Sequence, residues 1–330
     1  MKALVYTGDH EVVYRDEPDT QAAPGNILVK VEASGICGSD MHAYHGLDER
    51  RVPPLILGHE AAGVALDGRY KGQRVAINPI TTCGVCQACI SARTNLCAER
   101  EIIGMRLAGA FAEYVDVPEA NLIAVPNRLS QQHASLMEPT AVSLHSVILA
   151  EKTLHRPISE CRTLVIGGGA IGLLAALILK HKGTREIFLS ETADARRQTV
   201  KDTSCCEVFD PLSGTRPEEN SFDLVIDAVG SGATRADSCR FVRPGGVISH
   251  IGLQDNVEGL DTRKLTLQEI TFIGNYTYSV SDLHASLDLL ANGGLGSLDW
   301  LEIRPMSEGA SAFREIHQSQ TSAPKIILQP

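Results

Sequence analysis

Residues 165–172, VIGGGAIG, decide the fold class of this chain. The pattern G-x-G-x-x-G falls on Gly167, Gly169 and Gly172, directly after an apolar strand, RTLVIG, and before a helix, AIGLLAALILKHKG. In that setting the glycines permit a tight turn and let the backbone approach a pyrophosphate closely, while the helix N-terminus supplies the positive end of a dipole. The stretch therefore predicts a dinucleotide-binding loop between a strand and a helix.

A carboxylate follows at the distance that this motif requires. Glu191 lies nineteen residues after the last glycine, at the end of the next predicted strand, REIFLSE. A carboxylate there accepts hydrogen bonds from an adenosine ribose and repels a 2′-phosphate, so it favours NAD over NADP. Arg196 and Arg197 follow closely and weaken that preference. We expect Arg196 to contact the cofactor, as do Ala170 and Ile171 at the start of the helix.

The rest of this half of the chain alternates apolar strands with helical or polar segments. After residue 190 the predicted strands are CEVFD, FDLVIDAVG, GGVISHIGL and EITFIGNYT. Alternation of this kind is typical of an α/β fold with a parallel sheet.

The first 125 residues have a different texture. Short strands separated by Gly and Pro are predicted at NILVKVEA, AAGVAL, QRVAINP and AFAEYVDVP. The segment LSQQHASLMEPTAVSLHSVILA then predicts a helix, with a break and a new helix beginning at Pro139 because proline suits a first helical turn. The tail holds one more predicted helix, VSDLHASLDLLANGG, and closes with APKIILQP, a strand similar to those of the first region.

Composition limits the classes of protein to consider. The 330 residues are 43% hydrophobic and 21% charged, which is typical of a globular chain of about two domains. A net charge of −10 with scattered basic residues argues against nucleic-acid binding. The longest apolar run is too short to span a bilayer, and the N-terminal segment MKALVYTGDHEVVY resembles a strand rather than a signal peptide. We therefore expect a soluble, cytoplasmic protein that contacts no membrane.

Four of the nine cysteines lie close together. Cys83, Cys86, Cys89 and Cys97 form the pattern C-x2-C-x2-C-x7-C on a loop that contains glycine. Four thiolates at this spacing suit a tetrahedral zinc ion with no open position, which indicates a structural site. An iron–sulfur cluster uses similar ligands but other spacings, and four unrelated thiols are the remaining alternative.

A second set of residues has the chemistry of metal ligands. LGHEAAG contains His59 and Glu60, while Cys37 lies 22 residues before His59 and Glu138 lies 79 residues after it. One thiolate, one imidazole and one carboxylate make a zinc site with an open position, as a catalytic metal requires. By spacing alone a His–Glu pair also fits a surface or core position, and Cys37 also fits a small buried residue.

The order of these segments carries a family resemblance. GICGSDMH, GHE, the four-cysteine segment, AGAFAEYV, MEPTAVSLHSV and VIGGGAIG together resemble the zinc-dependent medium-chain alcohol dehydrogenases over the whole chain. MEPTAVSLHSV is similar to the branch of polyol dehydrogenases that includes the sorbitol and galactitol-phosphate enzymes. The resemblance implies an α/β protein with a GroES-like β-barrel catalytic domain and a Rossmann doubly wound parallel sheet of strand order 3-2-1-4-5-6.

Zinc ligands carry over position by position. Cys37 and His59 match the catalytic zinc ligands, and Glu60 matches an acid that ligates or approaches that zinc. Glu138 matches a second acid, which replaces a cysteine ligand of other alcohol dehydrogenases. In different members of the family, the residue matching Glu60, the residue matching Glu138 or a water molecule completes the coordination shell of the catalytic zinc. The four-cysteine segment matches the structural zinc lobe, so the resemblance implies one catalytic and one structural Zn²⁺.

The same comparison assigns catalytic roles around the first of these zinc ions. Ser39 matches the hydroxyl that hydrogen-bonds the substrate oxygen, and His42 matches the residue that passes the proton outward. Glu60 joins them as a catalytic residue. We predict that Asp40 and His45, in the same segment, are ordinary loop residues.

The family fold also implies domain limits and assembly. Residues 1–145 and 285–330 are predicted to form the GroES-like catalytic domain, and residues 146–284 the inserted Rossmann domain. We expect a homodimer or homotetramer, formed through the sheet edge near EITFIGNYT.

The implied activity is hydride transfer between a secondary alcohol, of a polyol or sugar derivative, and NAD. A threonine- or simple-alcohol-type zinc dehydrogenase, a zinc-free reductase and a non-enzymatic nucleotide sensor are alternatives. A phosphorylated substrate would require cations near the zinc, for which Arg50, Arg51 and Arg106 are candidates.

Overall fold

The computed structural model describes residues 1–8, 10–214, 216–255 and 257–330. The first part of the chain forms short strands and small helices: β1 (Lys2–Gly8), β2 (Glu11–Asp16), β3 (Asn26–Gly35), α1 (Gly38–Tyr44), β4 (Leu55–Ile56), β5 (Glu60–Ala65), β6 (Arg74–Ile77), β7 (Ile80–Thr81), α2 (Gln87–Ile90), β8 (Glu101–Ile102), β9 (Tyr114–Pro118), β10 (Leu122–Ala124) and α3 (Gln131–Ala134).

Helices and strands then alternate up to the C-terminal segment. They are α4 (Met137–Glu151), β11 (Arg162–Ile166), α5 (Ala170–His181), β12 (Glu186–Ser190), α6 (Asp194–Asp202), β13 (Glu207–Phe209), β14 (Phe222–Asp227), α7 (Gly232–Phe241), β15 (Val242–His250), α8 (Thr262–Leu267) and β16 (Thr271–Gly274). The C-terminal segment adds α9 (Val280–Ala291), β17 (Leu301–Pro305), α10 (Gly309–His317) and β18 (Lys325–Gln329).

The six strands β11 to β16 form one parallel sheet in the order β13-β12-β11-β14-β15-β16. Counted within this sheet the order is 3-2-1-4-5-6, so the predicted Rossmann topology is confirmed. Strands β11 and β14 lie at its centre and are almost continuously buried, which is why their sequences are apolar runs without polar alternation.

The glycine loop joins β11 to α5, and its geometry requires glycine. Gly167 has a φ of +100°, in the left-handed region that favours glycine. A Cβ at Gly172 would lie only 1.9 Å from the carbonyl oxygen of Gly167, so the first turn of α5 packs directly against the loop backbone. A Cβ at Gly169 would meet no atom within 4 Å, so this glycine faces open space.

The two chain ends meet in a second sheet of order β10-β6-β5-β3-β18-β17, in which β9 also pairs with β3. The last strand, β18, runs antiparallel to the end of β3 and parallel to β17. This confirms the GroES-like architecture expected from the similarity of APKIILQP to the first strands. The exact domain limits, 1–145 with 285–330 and 146–284, stay a prediction.

Two helices depart from the sequence-based expectation. The break before α4 lies between Ala134 and Met137, so Pro139 is the third residue of the new helix and not its first. The expectation of a single helix in the tail is wrong, because Gly309–His317 forms α10. Its apolar residues Ala312, Phe313 and Ile316 lie on one face that packs against the core, but the segment is only nine residues long and begins with Gly309, a residue of low helix propensity.

Within the described residues, every helix is too short or too polar to cross a membrane.

We predict that Gly63→Ala destabilises the protein by about 1–3 kcal/mol, as overpacking does. Gly63 lies in β5, where an added Cβ would stand 2.0 Å from the carbonyl oxygen of Lys30 in β3. Urea-induced unfolding measures the change. Gly214→Ala is the matched control, because Gly214 is exposed and a Cβ there meets nothing within 4 Å. Equal unfolding midpoints for the two variants would contradict the close contact of β3 and β5.

Candidate active site

A cleft of about 300 Å³ lies between the GroES-like region and the parallel sheet. One wall contains Cys37, His59 and the start of α1. The opposite wall is formed by the loops that follow β14 and β15, at the carboxyl ends of parallel strands. Ligands of open α/β sheets bind at that end, so the cleft combines metal-type residues with a nucleotide-type edge.

Cys37, His59 and Glu60 come together in this cleft, as their chemistry predicted. One ligand atom from each lies within 4.8 Å of the other two. Strand pairing explains the convergence, since Gly35 at the end of β3 pairs with Glu60 at the start of β5. Cys37 follows β3 by two residues, and its side chain caps the N-terminus of α1 by accepting from the backbone N–H of Ser39.

Lys325 completes this group, and the sequence analysis missed it. Its ammonium donates to both carboxylate oxygens of Glu60 at 2.7 Å and to the carbonyl oxygen of Ile36 at 2.8 Å. Both charged side chains are buried. Burial lowers the pKa of Lys325, but Glu60 and Cys37 outweigh that effect and raise it, so the ammonium stays charged. The only signal in the sequence was a single lysine at the start of an apolar strand.

The prediction that Asp40 is an ordinary loop residue is wrong. Asp40 is fully buried and accepts a hydrogen bond from the backbone N–H of Cys37 at 3.0 Å, which completes a capping box on α1. Its other oxygen lies 3.5 Å from Nδ1 of His59, and within the described residues neither of these two buried atoms has a hydrogen-bond partner. A carboxylate behind a histidine ligand fixes the ring and leaves Nε2 for a metal. The spacing Cys-x-x-Asp at a helix start could have indicated the cap.

The charges around His59 fit a bound cation. Burial lowers the pKa of His59, but the charges of Asp40 and Cys37 raise it well above its ordinary value. A buried pocket whose negative groups favour a positive imidazole also favours Zn²⁺, and a Cys–His–Glu donor set is one that zinc accepts. Zinc would be held by Cys37 and His59, with Glu60 next to them.

Glu138 lies on α4 and lines the same cleft, but it does not belong to the three-residue group. Burial, opposed by the nearby His59, raises the pKa of Glu138 to about 7. Tyr278 lies beside it, and this phenol is fully buried in turn. The structure therefore places Glu138 in the cleft beside the candidate metal position.

Ser39 and His42 both lie on α1 and line the cleft. A buried residue, Arg51, donates from Nη2 to the Ser39 hydroxyl oxygen at 3.1 Å, which leaves the hydroxyl hydrogen of Ser39 to act as donor. Arg51 is itself held by Asp48 and by the carbonyl oxygen of Gly104. Burial and then the charge of Arg51 lower the pKa of His42, so its imidazole is neutral near pH 7 and can accept a proton.

Of the three arginines considered for an anionic substrate, Arg50 alone lines the cleft. Its guanidinium makes two hydrogen bonds to Asp48, at 2.8 and 3.0 Å. Arg51 is buried and already bonded to Asp48, Gly104 and Ser39, and Arg106 is exposed outside the cleft lining. Arg106 is therefore no longer a candidate for substrate binding.

The four cysteines of the loop converge as a second metal-type group. Cys83, Cys86, Cys89 and Cys97 place their sulfur atoms within 4.8 Å of one another. Three of these separations are 3.5, 3.6 and 3.9 Å. Sulfur atoms at 2.3 Å from a tetrahedral zinc lie about 3.8 Å apart, so the arrangement fits a closed zinc site.

Glu191 directly follows β12 beside the glycine loop, and it is buried. Its carboxylate accepts from the backbone N–H of Gly168 at 2.8 Å and lies 3.4 Å from Nη1 of Arg196. Asp227 at the end of β14, which the sequence analysis did not single out, accepts from the backbone N–H groups of Val229 and Gly230 and so shapes the opposite loop. The open space at Gly169 between these loops suits a pyrophosphate.

Comparisons with known proteins agree with this geometry. The family model of the alcohol dehydrogenase GroES-like domain matches residues 23–127, and that of the zinc-binding dehydrogenases matches residues 170–292. The chain is 30% identical to the L-galactonate-5-dehydrogenase of Escherichia coli over 306 residues, which cover 89% of this chain and 88% of that protein.

Two further relatives are similar over most of their length. The L-threonine 3-dehydrogenase of Pyrococcus horikoshii is 30% identical over 273 residues, 78% of this chain and 76% of that protein. The solved alcohol dehydrogenase of Thermus sp. ATN1 is 27% identical, with a TM-score of 0.86 over 100% of this chain and 99% of that chain. This chain therefore belongs to the zinc-dependent alcohol dehydrogenase family, whose members are oxidoreductases that use a nicotinamide cofactor.

Proposed function

We propose that this enzyme oxidises a secondary hydroxyl of a polyol or of a sugar-derived acid, with NAD as the hydride acceptor. The observation that carries the proposal is the convergence of Cys37, His59 and Glu60 in a cleft whose other wall is the nucleotide edge of the parallel sheet. Zinc bound there supplies a Lewis acid that polarises the substrate oxygen.

The side chains around that group have distinct tasks. Asp40 orients His59, and Lys325 holds Glu60 beside the metal position. The Ser39 hydroxyl relays the substrate proton, giving up its own hydrogen as it receives one, and neutral His42 is the last protein group before solvent. Within the described residues no hydrogen bond joins these two directly, so the proton needs a further group between them.

The polarity of the cleft favours a substrate with several hydroxyl groups. Asn275, Tyr276, Thr277 and Gln254 line it together with Arg50. An arginine at the rim suits a carboxylate or phosphate at one end of the substrate. This agrees with the activity in the name of the L-galactonate-5-dehydrogenase relative, whose substrate is a sugar acid.

A threonine substrate is less well served by the same groups. An ammonium group would need an available carboxylate, whereas Glu60 is already paired with Lys325 and burial raises the pKa of Glu138 to about 7. We therefore place polyols and sugar acids ahead of threonine.

Two further features belong to this proposal. Glu191 at the cofactor edge supports NAD over NADP, because its carboxylate would repel a 2′-phosphate. The edge strand β16 leaves Phe272 37% exposed, and pairing of two such edges would give a homodimer.

An NAD-reduction assay tests the proposal. The panel contains alditols, aldonates, sugar-alcohol phosphates, threonine and simple primary alcohols, each with NAD and with NADP. We expect the highest kcat/KM for a polyol or aldonate with NAD. Highest activity on threonine or on a simple primary alcohol, or no turnover of the whole panel, would contradict the proposed substrate class.

We predict that Arg50→Gln raises KM for an anionic substrate by about tenfold or more, since a hydrogen bond to a charged group contributes about 1.5–3 kcal/mol. The KM for a neutral alditol stays the same, because no charged contact is lost. Arg106→Gln, outside the cleft lining, is the matched control. An equal rise in KM for neutral and anionic substrates would show that Arg50 does not bind the charged group of the substrate.

We also predict that Arg51→Lys lowers kcat about tenfold or more. Lysine keeps the positive charge but cannot contact Gly104, Asp48 and Ser39 together. Steady-state kinetics over a range of pH measures the effect, and unfolding curves check that the variant folds. Arg106→Lys is the control and should retain full activity. An unchanged kcat for Arg51→Lys would contradict a role of Arg51 in positioning Ser39.

A further inference from the structure

A cluster of three histidines lies on the surface away from the cleft. His10 occupies the turn between β1 and β2, His45 is the C-cap of α1, and His317 is the last residue of α10. One ring nitrogen from each lies within 4.8 Å of the other two. The ring centroids are 5.0 to 5.4 Å apart, and Nε2 of His45 is 3.0 Å from Nδ1 of His317.

The backbone beneath the cluster is held firmly. The backbone N–H of His10 donates to the carbonyl oxygen of Tyr44 at 2.7 Å, which fixes the turn against the end of α1. Tyr44 is buried and packs against Phe313 of α10, with ring centroids 5.5 Å apart. The three imidazoles therefore extend from three elements whose backbones are already packed together. Binding of a ligand then costs little conformational entropy of the backbone.

The residue types favour a transition metal over other ligands. Among the described residues this group consists of imidazoles alone, which suit Zn²⁺, Ni²⁺ and Cu²⁺ better than Mg²⁺ or Ca²⁺. Nitrogen atoms at 2.0–2.1 Å from a tetrahedral zinc lie about 3.3 Å apart, so side-chain rotations of modest size bring the three rings into a coordinating arrangement. His10 and His317 are exposed, and water can occupy a fourth position.

We propose that His10, His45 and His317 form a third metal site, which binds a divalent ion of the zinc class. This site is separate from the two zinc positions described above and does not depend on the proposed reaction. A bound ion would tie the β1–β2 turn and the end of α10 to α1, the helix whose N-terminal residues line the active-site cleft. The consequence is a protein that excess zinc stabilises against heat.

Isothermal titration of the zinc-replete, full-length enzyme with ZnCl₂ tests the proposal. We expect the wild-type chain to bind one further equivalent of zinc, and His45→Ala and His317→Ala each to lose it. The melting temperature of the wild type should rise with added zinc, whereas that of either variant should not. Circular dichroism checks the folding of both variants. Because His317 is exposed, we expect His317→Ala to fold as the wild type does.

His284→Ala is the matched control, because His284 is exposed on α9, outside the cluster. It should bind the additional equivalent as the wild type does. The proposal is wrong if the wild type takes up no further zinc, if either cluster variant still takes it up, or if His284→Ala also loses it.

Discussion

The buried ion pair between Lys325 and Glu60 is the interaction on which the architecture depends most. Lys325 belongs to the last strand of the chain, and Glu60 stands beside the histidine of the metal group. The same ammonium binds the carbonyl oxygen of Ile36, the residue before Cys37. One side chain therefore joins the C-terminal strand to both segments that carry the proposed metal ligands, and loss of one charged partner in such a buried pair costs about 3–5 kcal/mol.

The pair also shapes the chemistry of the site. Both oxygens of Glu60 accept from Lys325, so this carboxylate is a weaker competitor for a metal than it would be alone. Because burial raises the pKa of Glu138 to about 7, the second nearby acid carries less negative charge. Cys37 and His59 then remain as the firm ligands of the proposed zinc, and a position stays available for the substrate oxygen, as a catalytic metal requires.

Local patterns explain what could be predicted from the sequence. Some features depend only on residues close together in the sequence, as do the glycine loop, the alternating strands and the four cysteines. The parallel sheet and the convergence of both metal-type groups could therefore be predicted from the sequence and the family resemblance. Lys325 could not be found in this way, because it meets Glu60 across 265 positions and looks like any lysine in a strand. Asp40 and Arg51 were misjudged for the same reason: burial gives them their roles, and only the fold shows which polar residues of a loop are buried.

The central claim is that Cys37 belongs to a zinc centre separate from the four-cysteine lobe. Measurement of zinc per chain by plasma mass spectrometry, on the wild type and on Cys37→Ser, tests it most directly. We expect Cys37→Ser to contain one zinc ion fewer than the wild type, and to bind NAD without turning over substrate. Equal zinc content and full activity in Cys37→Ser, or no zinc in the wild type, would contradict the claim.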